Sequence, residues 1–226
     1  MLPKGAIFDL DGTLLDSMWV WKYVDITFQK VLNFSVRDDY YEQISSMSPT
    51  QSAVYTISEY GLDITPDKLK SLWFNIAKDA YINKVDIKPG ADIFLKKLYQ
   101  SGVKLAIATS CFPELCKETL KANGIEAYFS AFCYSEDLGE GKETGKIYLQ
   151  AANDLQVEPS GCAVFEDILS PLNSVKKLGM EYLAVSDKNQ SVQIQEALKE
   201  DADDFFEDYN QLLNKNKFGR FSFEKE

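Results

Sequence analysis

The chain of 226 residues contains no histidine, and its only arginines are Arg37 and Arg220. Without histidine, Ser-His-Asp catalysis, imidazole general bases and most zinc sites are excluded. With so little arginine, few places remain for a bidentate grip on phosphate or carboxylate. No apolar run approaches the roughly 20 residues that span a bilayer, and the opening residues lack the pattern of a secretory leader. The four cysteines, Cys111, Cys116, Cys133 and Cys162, have no CxxC spacing, so free thiols in a reducing cytoplasm are expected. Basic residues number 24 against 35 acidic ones, a net charge of -11, which makes nucleic acid and anionic membranes poor partners. Chemistry is left to carboxylates, lysine, hydroxyls and a hard metal ion.

A hydrophobic share of 45% argues for a folded chain, long enough for one large domain or one domain with an insert. It opens on a short apolar strand, Ala6-Ile7-Phe8, which runs straight into Asp9. The spacing then turns helical, with Val20, Val24, Phe28, Val31 and Leu32 on one face. Ser48-Pro49-Thr50-Gln51 reads as a capping box with proline at the first helical position, Gly61 closes that helix, and Thr65-Pro66 opens another. Residues 17 to about 83 therefore form a helical block without a strand. After Asp86 short apolar strands alternate with helices: "KLAIATS", "AFCY", "CAVFED", "EYLAV" and a last "DDFF". That alternation predicts βαβ units and a parallel sheet covered on both faces, with the helical block as an insert after the first strand.

Ligands of open α/β sheets bind at the carboxyl ends of the strands. Those ends carry Asp9 and Asp11, then Thr109 and Ser110, then Glu166 and Asp167. Between the last two pairs lies the glycine-punctuated loop "GEGKETGK" with Lys142 and Lys146. Each group has a plainer reading: a turn, a helix start, solvated loop acids, a surface lysine. Their joint order at strand ends argues for one catalytic rim. Asp9 and Asp11, two residues apart, would point to the same side about 6–7 Å from each other, with room for phosphorus between them if the backbone turns after Leu10. A carboxylate can relay a phosphoryl group covalently, and such transfer needs mainly positioning and cancelled charge, which a hard oxygen-loving ion supplies.

The whole pattern resembles the haloacid dehalogenase superfamily, most closely the phosphatase and β-phosphoglucomutase-like subgroup with a helical cap. "DLDGTLLDS" matches the first motif, "LAIATS" the second, "GKETGKIYLQAA" the third and "VFEDILSPLNSVKKLGM" the fourth. The third departs from type, since Glu143, Gly145 and Lys146 stand where two prolines and an aspartate are usual. The resemblance implies a Rossmann-like doubly wound core, residues 1–16 with 87–213, an α-helical cap, 17–86, and a polar, solvated C-terminal tail, 214–226.

It also implies roles. Asp9 would be the nucleophile, forming an aspartyl-phosphate, and Asp11 the general acid and then the base. Mg2+ would be held within Asp9, Asp11, Glu166 and Asp167. Thr109, Ser110, Gly12 and Thr13 would bind the phosphate, and Trp21 and Ser46 of the cap would meet the substrate. Register on Ile147-Tyr148-Leu149 favours Lys142 as the third-motif lysine, with Lys146 as its rival. The expected protein is a cytoplasmic, monomeric Mg2+-dependent phosphatase acting on a small phosphorylated metabolite. Trp21 stands where the mutase has a cap histidine, and the loop Ser45 to Ser52 offers no arginine to hold a second phosphate, so a phosphosugar mutase is the alternative. A catalytically silent binding module is a further alternative, against which Asp9, Asp11 and Asp167 speak together.

Overall fold

The computed structural model of the protein describes residues 1–223. Strands β1 (Gly5–Phe8), β2 (Lys104–Thr109), β3 (Phe129–Tyr134), β4 (Cys162–Glu166), β5 (Glu181–Val185) and β6 (Asp204–Phe206) form one sheet in the order β3-β2-β1-β4-β5-β6. Every pairing in it is parallel. Side chains alternate between faces along each strand. In β1, Ala6 and Phe8 join one apolar cluster and Ile7 the other. Helices α5 (Ala91–Gln100), α6 (Pro113–Ala122) and α11 (Tyr209–Lys215) cover the first face; α8 (Lys146–Asp154), α9 (Leu172–Lys177) and α10 (Val192–Asp201) cover the second. A single turn of helix, α7 (Ser135–Leu138), follows β3. The alternation of elements predicts this parallel sheet covered on both faces, and its strand order is the Rossmann-like doubly wound core that the resemblance implies.

Between β1 and α5 come four helices, α1 (Met18–Leu32), α2 (Tyr40–Ile44), α3 (Pro49–Tyr60) and α4 (Pro66–Lys84). Ser48 caps α3 with the full reciprocal box to Gln51, Thr65 caps α4, and Gly61 ends α3 in a left-handed conformation. On α1, Val20, Val24 and Phe28 are buried, whereas Val31, expected on the same face, is 60% exposed because α1 ends one residue later and turns away from its partners.

The C-terminal stretch corrects an expectation. Rather than a solvated extension, residues 214–223 finish α11 and form a hairpin of β7 (Lys217–Phe218) and β8 (Phe221–Ser222). Phe218, Phe221 and Phe223 are buried, and Phe94 lies 5.4 Å from Phe218 and 5.9 Å from Phe223, centroid to centroid. The polar composition belongs to the residues between these aromatics, so average hydrophilicity hid an alternating pattern. The last three residues of the expected tail lie outside the described residues.

The strand order reverses between β1 and β4, the position at which such sheets open a crevice at their carboxyl ends. Phe8 pairs with Phe165 there, and the Asp9 amide donates to the Phe165 carbonyl at 2.9 Å. That register sets Asp9 beside Glu166 and Asp167.

Candidate active site

Strand β1 ends at Phe8, so strict alternation does not carry Asp9 and Asp11 to one side; a tight turn does. The amides of Leu14 and Leu15 both donate to the Leu10 carbonyl, at 3.0 and 2.9 Å. The turn sends both aspartates to the wall of one cavity of about 140 Å³ enclosed between the sheet end and the helical insert. Thr109, Ser110, Lys142, Asp167 and Trp21 line it too.

Lys142 is buried, forms an ion pair with Asp9, and reaches Glu166 Oε1 at 2.6 Å. Glu166 is fully buried and engaged at both oxygens. Tyr148 donates to Oε1 at 2.8 Å, and the amides of Asp167 and Ile168 donate to Oε2 at 2.8 and 3.2 Å. Such a carboxylate is a fixed anchor for the lysine. Lys146, the rival, is exposed and pairs with Glu140.

Asp11 is held from the insert. Its Oδ1 accepts from Ser17 Oγ at 2.5 Å, Trp21 Nε1 at 2.8 Å and Tyr81 OH at 2.7 Å. Ser17 precedes α1 with helical backbone angles and no side-chain cap, and its hydroxyl donates to Asp11. Burial raises the Asp11 pKa, and these three donors oppose it.

Carboxylate oxygens of Asp9, Glu166 and Asp167 come within 4.8 Å of one another. Burial pushes Asp9 up to about 7 despite Lys142, and with Glu166 and Asp9 nearby it drives Asp167 well above the usual carboxylate range. Burial also works against the Lys142 charge, but Asp9 and Glu166 overcome it and raise its pKa. One ammonium among three acids leaves a buried excess of negative charge. The donors are all oxygen, and the Asp11 main-chain carbonyl accepts no hydrogen bond among the described residues. This set fits a hard divalent cation such as Mg2+.

Three expected contacts lie elsewhere. Gly12 and Thr13 do not line the cavity; Thr13 is buried and donates to Asp167 Oδ1 at 2.9 Å. Gly12 has φ +76°, and any side chain there would collide with the Asp167 carboxylate. Ser46 is also off the cavity wall, although Ser45 and Met47 are on it, because successive residues of this turn face opposite ways. Its carbonyl instead accepts from the Lys142 amide at 2.7 Å, tying the insert to the lysine loop. Thr109 Oγ1 accepts from the Cys111 amide at 3.0 Å, and Ser135 donates to Ser110 at 2.8 Å.

A model of the haloacid dehalogenase-like hydrolases matches residues 6–185. The chain belongs to that family. Among its relatives, a bifunctional riboflavin kinase/FMN phosphatase of Arabidopsis thaliana is 26% identical over 187 residues, 81% of this chain and 48% of that protein, so the chain spans about half its length. The β-phosphoglucomutase of Bacillus subtilis is 28% identical over 189 residues, 78% of this chain and 80% of its own. The crystal structure of CbbY from Rhodobacter sphaeroides in complex with phosphate superposes with a TM-score of 0.79 at 17% identity, covering 93% of this chain and 96% of that one, which shows the shared fold.

Several residues of this hydrolase's site escaped the sequence reading. Tyr81, which donates to Asp11, and Tyr148, which donates to Glu166, carry no motif signal, and neither does Asp25 on the cavity wall. A signal for Asp25 did exist: it is a charged residue four after Trp21 and three before Phe28, on the stripe of α1 that faces inward. Glu136 was also missed; it accepts from the Thr50 amide at 2.9 Å, Thr50 Oγ1 at 2.6 Å and Lys70 Nζ at 2.7 Å, joining α7 to the insert.

Proposed function

We propose that the protein is a Mg2+-dependent phosphomonoester hydrolase that works through an aspartyl-phosphate on Asp9, with residues 17–86 as a cap over the site. The observation that carries this reading is the buried Asp9–Lys142–Glu166 arrangement facing Asp11 across one small cavity. An Asp9 oxygen attacks phosphorus as the bond to the leaving oxygen breaks, and Asp11 donates a proton to that oxygen. Water then attacks phosphorus, Asp11 takes its proton, and the Asp9–phosphorus bond breaks. Lys142 holds Asp9 in place and balances charge gathering on the phosphoryl oxygens, with Glu166 fixing the lysine. Asp9, Asp167 and the Asp11 carbonyl would hold Mg2+, which supplies charge neutralisation at the phosphoryl group.

The names of the relatives support phosphate-ester chemistry, as an FMN phosphatase or as a phosphoglucomutase. Hydrolysis is favoured because, among the described residues, Lys142 is the single cationic side chain on the cavity wall. A mutase must keep its bisphosphorylated intermediate in place through the distant phosphate, a task suited to arginine. The test is phosphate release from a panel of phosphorylated metabolites with Mg2+, alongside β-glucose 1-phosphate with catalytic glucose 1,6-bisphosphate. Free phosphate from monoesters supports the proposal; glucose 6-phosphate accumulating much faster than phosphate replaces it with the mutase.

A further inference from the structure

Asp167, the residue after β4, is held from a loop that the proposed chemistry does not use. Strand β5 lies beside β4 and ends at Val185, so Ser186 to Ser191 run along the carboxyl end of the sheet next to Asp167. Within this loop the Asn189 amide and its Nδ2 both donate to Asp187 Oδ1, at 2.8 and 2.9 Å. The Gln190 amide and Gln195 Nε2 each donate to the Asp187 carbonyl at 3.1 Å. Lys88, in the second connection of the insert, donates to the Ser186 carbonyl at 2.7 Å and pairs with Asp187 Oδ2 at 3.4 Å. Both of these charged side chains are buried. Side-chain bonds to the backbone thus set the path of the turn.

That turn delivers Gln190. Its Nε2 donates to the Asp167 main-chain carbonyl and, at 2.9 Å, to Asp167 Oδ2. The other carboxylate oxygen, Oδ1, accepts from Thr13 Oγ1 at 2.9 Å. Gln190 Oε1 is buried with no partner among the described residues, so the amide is turned toward Asp167 at a cost in unpaired polarity. A carboxylate has about four acceptor positions. One donor on each oxygen fixes its plane and leaves each oxygen a lone pair for a cation. Both donors are neutral, so they orient Asp167 without cancelling the charge that attracts a divalent ion. A lysine in the place of Gln190 would cancel it.

Resting on the reading of Asp167 as a ligand of the divalent cation, we infer that Gln190 is a positioning residue, acting through Asp167 to set that carboxylate's orientation toward the ion. Mn2+ alone is the probe, titrated into metal-free protein without substrate and followed by the paramagnetic resonance signal of the free ion. Gln190→Met keeps the length of the side chain and deletes its N–H groups, so the Kd for Mn2+ should rise about ten- to hundred-fold. The Mg2+ concentration giving half-maximal phosphate release from p-nitrophenyl phosphate should rise by a similar factor. At saturating Mg2+, kcat should stay within about three-fold of the wild type, a split that a general loosening of the fold does not produce. Gln190→Ala, which shortens a half-buried loop side chain, serves as the test if Gln190→Met does not fold. An unchanged Kd in a folded Gln190 variant, or a loss of kcat that saturating Mg2+ does not restore, overturns the inference. Asp167→Asn tests its foundation. Mn2+ held as tightly by that variant as by the wild type overturns the reading of the cation site, and the assignment of Gln190 with it.

Discussion

Tyr81, near the end of α4, donates its hydroxyl to Asp11 Oδ1 at 2.7 Å, across 70 residues of sequence. The same hydroxyl accepts from the Cys111 thiol at 3.4 Å, so one phenol joins the insert to the β1 and β2 ends of the sheet. The residue proposed to carry the proton is therefore tuned by the helical insert rather than by its own strand.

Tyr81→Phe tests that tuning. Tyr81, with Ser17 and Trp21, stabilises the Asp11 carboxylate and holds down a pKa that burial raises. Removing one donor leaves burial less opposed, so the pKa should climb further. An acid that must be protonated in the first step loses activity as pH rises through its pKa. The descending limb of kcat/KM should accordingly move to higher pH in Tyr81→Phe, while kcat falls about three- to thirty-fold.

The two lysines of the loop separate cleanly. Lys142→Ala removes the one cation from the buried acids and should lower kcat by about 10²–10³-fold. Lys146→Ala removes an exposed partner of Glu140 and should change kcat by less than about two-fold. Steady-state rates of the two variants on one phosphomonoester decide it.

The C-terminal hairpin should be structural. Phe218→Ala empties a fully buried site among Phe94, Phe165 and Phe221 and should cost about 3–5 kcal/mol in urea unfolding. A loss below about 1 kcal/mol would restore the picture of a solvated tail.

What the sequence made legible was whatever repeats with a local period or sits at a fixed place in a motif. Short apolar strands of three to six residues made the sheet legible, Ser48 with Gln51 a helix start; Asp9, Asp11 and Asp167 stand at strand ends, and Lys142 was expected from the loop's register. Contacts that depend on how the insert lies on the sheet were not legible. Tyr81 and Asp11 meet only because α4 packs over the β1 turn, and Ser46 turns outward for reasons of local backbone path. Gly12 and Thr13 lie within the first motif, whose resemblance implies phosphate ligands; their approach to Asp167, by a Thr13 hydrogen bond and by the space that Gly12 leaves, depends on packing that the sequence does not display.

Asp25 should also leave a mark on stability. Its folded pKa of about 7 lies above the ordinary value of 3.8, so between those pH values the folded state binds a proton that the unfolded state has lost. The contribution is therefore unfavourable and grows as pH rises through that window, up to roughly 2–4 kcal/mol. Asp25→Asn should be more stable than the wild type at pH 8 and nearly equal to it at pH 4. Urea midpoints at the two pH values read the difference directly; an equal gap at both would remove the half-buried carboxylate, which has no side-chain partner, from the account.

The central claim is covalent catalysis by Asp9, and the most direct measurement is rapid acid quench during turnover with Mg2+, followed by peptide mass analysis. The account predicts a phosphoryl group on the peptide containing Asp9, cleaved by hydroxylamine as an acyl phosphate should be, and absent in Asp9→Asn along with phosphate release. Phosphate release that persists in Asp9→Asn, or a phosphorylated residue elsewhere in the chain, would contradict it.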